Sequence, residues 1–188
     1  MGKIRYMKNF VSVTAGLLLC VAVRAQNFAV ATNVLDYVNL GTLNVEASCG
    51  VGRQWTVTAG MKYNPFTYGE GAAGFADRQR SVDAGARFWP WHIYSGWWLA
   101  GKLKWQEYNR GGFVSAESQE GDRYGGGLAA GYTFMLDTHL NLDVGFGLWG
   151  GYDRYIAYDC LKCGRVVAEG EKFFVLPNDI LLTISYIF

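Results

Sequence analysis

Two cysteines three residues apart, Cys160 and Cys163 in Cys-Leu-Lys-Cys-Gly, come closest to a chemical constellation by type and spacing. A redox role needs the thiols at a helix N-terminus that lowers their pKa, and a zinc role needs about two further nitrogen or sulfur ligands. No second Cys-x-x-Cys is present, and His92 and His139 fall in turns expected at the opposite end of the molecule. The pair reads as a small disulfide pinning the longest exposed loop, with a metal site as the alternative. Hydrolytic chemistry needs a nucleophile or an acid/base pair at one rim. No Ser, His and Asp set assembles there, and Asp153 and Asp159 read as solvated loop carboxylates. The Gly-x-x-G at Gly71 and Gly74 lacks a following helix to cradle phosphate. The expectation is a protein without catalytic residues, metal or cofactor.

The elements that would position any site follow from the class of chain. A length of 188 residues suits one domain, and a net charge of +1 gives no nucleic-acid footprint. Aromatic residues at 16% and 25 glycines are high, while charged residues at 18% are low, the balance of a barrel with apolar side chains turned outward. The N-terminus reads as a signal peptide, residues 1–25: Lys3, Arg5 and Lys8 precede an apolar stretch at 10–23, and Val23-Arg24-Ala25 offers the small residues of a cleavage site. Lipidation at Cys20 is disfavoured because Leu19 before it is not small. The mature domain, residues 26–188, keeps Cys49, Cys160 and Cys163 in an oxidising compartment.

Alternation of apolar and polar residues predicts about eight strands, at 28–35, 42–49, 55–63, 80–88, 97–108, 123–134, 140–149 and 180–188. Connections after the second, fourth and sixth are short, and those after the third, fifth and seventh are long. An up-and-down antiparallel barrel in an outer membrane shows that asymmetry. Aromatic residues recur eight apart on the apolar parity, at Trp55 and Tyr63, Trp97 and Trp105, and Tyr124 and Tyr132. Such a step spans roughly 20 Å of height in a tilted strand, close to the separation of two aromatic girdles. The opposite parity carries glycine with charge: Glu46, Asp83 and Asp143 against Lys62, Arg87, Lys102 and Lys104, a charge network expected inside a narrow lumen. With about eight strands the interior has room only for its own side chains, which argues against a pore. A soluble secreted barrel, with its apolar face inward, is the rival.

The final strand, Ile-Leu-Leu-Thr-Ile-Ser-Tyr-Ile-Phe, sets Tyr186 and Phe188 on a wholly apolar face. It resembles the C-terminal signal by which outer-membrane barrels are recognised for insertion. The resemblance implies a cell outer-membrane location, membrane lipid as surroundings and the barrel assembly machinery as a partner during biogenesis.

Five segments in order resemble the family of small barrel proteins filed as domain of unknown function 3575: Ala-Thr-Asn-Val-Leu-Asp-Tyr at 31–37, Asn-Leu-Gly-Thr-Leu-Asn-Val-Glu at 39–46, Tyr-Asn-Pro-Phe-Thr at 63–67, Arg-Phe-Trp at 87–89 and Tyr-Asp-Cys-Leu-Lys-Cys-Gly at 158–164. The resemblance implies a barrel without an established activity, and through some members an accessory role beside fimbrial subunits. The expected function is a non-enzymatic structural or interaction protein presenting surface loops to a cell-surface or fimbrial partner. An outer-membrane enzyme and a small-ligand-binding barrel are the alternatives.

Overall fold

The structure, a computed structural model, describes residues 28–68, 75–111, 118–159 and 165–188. In chain order they form β1 (Phe28–Asn33), α1 (Val34–Val38), β2 (Leu43–Gly50), β3 (Trp55–Asn64), β4 (Thr67–Tyr68), β5 (Phe75–Phe88), β6 (Gly96–Gly111), β7 (Ser118–Met135), β8 (Leu140–Tyr158) and β9 (Val166–Ile187). Each strand after the first pairs antiparallel with its predecessor, except that β4 is a two-residue flap on β5 and the wall passes directly from β3 to β5. Pairing of β1 with β9 closes the ring, so eight strands form an antiparallel up-and-down barrel. No helix of the described residues is long and apolar enough to cross a membrane.

Alternation fixes which face each strand turns inward. Thr56 and Thr58 of β3, Ser81 and Arg87 of β5, Thr133 of β7, Asn141 and Asp143 of β8, and Thr183 and Ser185 of β9 are buried. Their neighbours point out, and Leu103 and Leu128 are 73% and 69% exposed. The barrel is thus inverted relative to a soluble one, with polar groups inside and apolar side chains outside.

The eight barrel strands match the sequence expectation, but their bounds do not. Five strands run past the predicted ends on the side of the long connections: β5 begins at Phe75, β6 continues to Gly111, β7 begins at Ser118, β8 continues to Tyr158, and β9 already starts at Val166. Most of the expected long loops are therefore strand. The reason lies on the outer face. Above the register row Val82, Trp105, Tyr124, Tyr152 and Phe173 comes a charged row, Arg80, Glu107, Asp122, Arg154 and Glu171. With polar groups on both faces the period-two signal vanishes, while the backbone ladder, which does not depend on side-chain polarity, continues. On that side β1, β2 and β3 stay short and the other strands rise as a tall wall.

The first strand is shorter than expected, ending at Asn33 instead of residue 35. The Asn33 side chain accepts from Leu35 N at 3.3 Å and caps α1. Asn44 holds the junction from β2, accepting from Asn33 N at 2.6 Å and donating to Asn33 O at 2.9 Å.

Candidate functional site in the barrel interior

The interior is layered, starting from a floor at the end with the short turns. Between β5 and β6 the segment Trp89-Pro90-Trp91-His92-Ile93-Tyr94-Ser95 folds under the barrel. Trp89 N donates to Gln54 O at 2.8 Å and Ile93 N to Arg53 O at 3.2 Å, which ties the segment to the β2–β3 turn. Trp89, Ile93 and Tyr94 are buried with Trp98 of β6 in one apolar cluster. Trp89 Nε1 donates to Thr56 Oγ1 at 3.1 Å, Asn141 Nδ2 donates to Tyr94 O at 2.8 Å, and the Tyr94 hydroxyl lies 3.2 Å from that of Ser48, whereas Trp98 Nε1 is buried without a hydrogen-bond partner among the described residues. Tyr94 has φ 62°, a left-handed conformation that the surrounding packing sustains. Sequence reasoning saw Pro90 as the end of a strand but not that the aromatic turn would enter the barrel. Three large apolar side chains in a short turn were the available signal.

Burial pushes the Tyr94 phenol up to about 12, opposed by its hydrogen bond with Ser48. An unfolded tyrosine ionises near 10. The associated stability is complete below about pH 10 and drains as pH rises from there to about 12. In a phenolate absorbance titration, the difference between wild type and Tyr94→Phe is expected to centre near 12; a difference centred near 10 would show Tyr94 exposed.

Above the floor sits the charge layer. Arg87, with its side chain 8% exposed, reaches Asp143 Oδ2 at 3.2 Å and Glu46 Oε1 at 3.0 Å. Its guanidinium lies 4.3 Å from the Trp98 ring centroid and 5.5 Å from that of Trp89, joining charge layer to floor. Lys102 bonds Glu46 and lies 3.1 Å from Asp83 Oδ1. Thr133 Oγ1 donates to Asp143 Oδ1 at 2.6 Å. The structure therefore brings Glu46, Asp83, Arg87, Lys102 and Asp143 together. The other two residues of the expected network differ. Lys62 pairs with Asp36 of α1 at 2.8 Å, and Lys104 Nζ stands over the Trp149 ring at 4.8 Å. Asp36 was legible only as a connection residue, because nothing local shows that α1 tips its carboxylate inward.

Glycine makes these approaches possible. A Cβ on Gly60 would fall 2.2 Å from Asp83 Oδ2, and one on Gly131 would fall 2.4 Å from the Trp98 ring. The cavities among the charges are about 10 and 40 Å³, room for one or a few waters.

A third layer was missed. Asp153, expected in a solvated loop, belongs to β8 and is fully buried. Tyr108 donates to its two oxygens at 2.9 and 3.1 Å, Arg123 Nε donates at 3.0 Å, and Lys172 lies 3.7 Å away. Arg123 also stacks 3.8 Å from the Tyr108 ring centroid. The cause is the extra length of β8: once the strand passes Trp149, every second residue still points inward.

Cys160 and Cys163 lie outside the described residues, as do Gly71 and Gly74. Cys49 is buried on the outward parity. His139 Nδ1 lies 2.8 Å from Ile187 O, and His92 sits in the floor segment, so both histidines are at the turn end. Tyr186 and Phe188 pack edge to face at 5.0 Å, and Phe188 N donates to Phe28 O at 2.9 Å across the closing seam.

These features define a closed eight-stranded antiparallel β-barrel with an aromatic floor and a charged, packed interior. A family model described as Protein of unknown function (DUF3575) matches residues 11–188, and the chain belongs to that family. No curated protein and no solved structure matches it.

Proposed function

We propose that the chain is a non-enzymatic outer-membrane barrel acting as a structural and interaction protein, accessory to cell-surface or fimbrial assembly, with its tall wall outside the cell. The observation that supports this reading is the outer face. Leu103, Leu128, Phe146, Leu148 and Ile180 stand exposed in a band, bordered on one side by Trp105, Tyr124, Tyr152 and Phe173 with the charged row beyond. On the other side lie Trp55, Trp97, Phe134 and Tyr186. A water-facing surface of this size would be a severe aggregation liability, whereas lipid stabilises it. The packed interior supports a structural rather than a conducting role, and leaves the wall and its connections as the part available to a partner.

On this reading the protein is expected in the outer-membrane fraction, migrating faster on a gel before heating than after, because a closed ladder resists detergent until heated. Recovery in the soluble periplasm would remove the membrane assignment.

A further inference from the structure

Among the described residues the tall wall has one unpaired backbone edge. β9 pairs with β8 along its length, but with β1 only from Thr183 to Ile187. Just above, the Asn33 side chain takes the place of a strand, donating to Ile180 O at 3.3 Å and accepting from Leu182 N at 3.1 Å. Beyond that point no described residue pairs with this side of β9.

The groups that point along the free edge follow from chain chirality. In one strand, residues with outward side chains aim N–H and C=O to the same side. Leu182 and Phe188, both outward, aim N–H toward β1, while inward Ile187 donates to His139 O on the β8 side. The bulge at Asn178 shifts the parity by one, since Gly147 faces Asp179 and Leu148 faces Pro177. Above it Glu169, Glu171, Phe173 and Val175 are outward and present their backbone groups to the open side. Pro177 fits the same assignment, because its missing donor falls on the unpaired side, where proline is tolerated in a sheet. Beneath the edge, α1 exposes Tyr37 at 43% and Val38 at 80%, an apolar step at the foot of the gap.

We infer that this edge of β9, residues 169–175, takes up an extended segment of a partner polypeptide by strand addition; this rests on the interaction role proposed above. The backbone groups give affinity, and the outward side chains set the choice. Glu169, and to a lesser degree Glu171, whose Oε1 already lies 2.7 Å from Arg154 Nε, favour basic residues opposite them, and Phe173 and Val175 favour β-branched or aromatic ones. A second copy of this chain is a poor occupant in the registers centred on the charged half of the edge. Two-fold antiparallel pairing sets residues of one parity opposite one another, and registers centred from Glu169 to Lys172 place Glu169 or Glu171 against a glutamate, or Lys172 against itself.

The probe is a ten-residue peptide with lysine opposite Glu169 and Glu171, valine opposite Phe173 and Val175, and threonine between. It is added to the folded barrel in detergent micelles, and amide exchange is followed. Slowing by at least about tenfold at residues 169, 171, 173 and 175 is expected, with little change on β6 and β7. Glu171→Pro removes one edge donor and should abolish the protection, whereas Glu171→Ala, which keeps the donor, should weaken it only a few-fold. Heat-resistant migration of each variant verifies that the barrel is folded. Absence of protection at millimolar peptide, or equal protection in Glu171→Pro, overturns the inference. Protection of the same amides without peptide, rising with protein concentration, would give the edge to a second copy and overturn it equally. None of these results depends on cellular location, so a failed fractionation and a failed binding assay remain distinct.

Discussion

Arg87→Ala is expected to destabilise the folded barrel by about 3 kcal/mol, the loss typical of one partner removed from a buried ion pair. The magnitude follows from what remains. Asp143 keeps its hydrogen bond from Thr133 but loses its cation, while Glu46 keeps Lys102. The floor is affected too, since the guanidinium stacks on Trp98 and approaches Trp89. Arg87→Lys should recover only part of the loss, because an ammonium can neutralise a carboxylate but cannot reach Glu46 and Asp143 while lying flat on an indole. Urea midpoints in detergent measure both variants. A change below about 1 kcal/mol in Arg87→Ala would place Arg87 in an ordinary solvated pair instead.

Phe188→Ser is expected to leave export intact and to abolish most assembly in cells. Folded-state energetics alone would not do this. Phe188 is half exposed and contributes ring contacts to Tyr186 at 5.0 Å and Phe28 at 5.7 Å and a backbone bond that serine retains. Its loss should cost on the order of 1 kcal/mol. Refolding of the purified variant from urea should therefore be near normal while assembly in cells fails, the signature of a residue read by the assembly machinery. Equal impairment in both assays would make Phe188 a purely structural seam residue, and normal assembly would show the final strand misread.

Much of the architecture was legible because inward and outward environments differ sharply in the middle of the barrel. There Leu103 and Leu128 alternate with Lys102 and Gly127, and strand, face and charge layer all follow from parity. Legibility failed where the two environments converge. In the tall wall both faces are polar, so Asp153 looked like loop although the ladder buries it beside Arg123 and Tyr108. It failed again where the chain reverses. The aromatic floor at Trp89 and Tyr94 and the inward carboxylate of Asp36 depend on long-range packing that no local pattern encodes.

The claim that the outer apolar band faces lipid is tested most directly by spin labels on single cysteines introduced into a chain whose native cysteines are replaced by serine. Leu128→Cys stands in the centre of the band and Arg154→Cys in the charged row above it. In bilayer vesicles the label at 128 should be relaxed strongly by oxygen, which concentrates in the hydrocarbon, and hardly by a water-soluble nickel chelate, with the reverse at 154. Free access of nickel to both positions would contradict a membrane-spanning barrel.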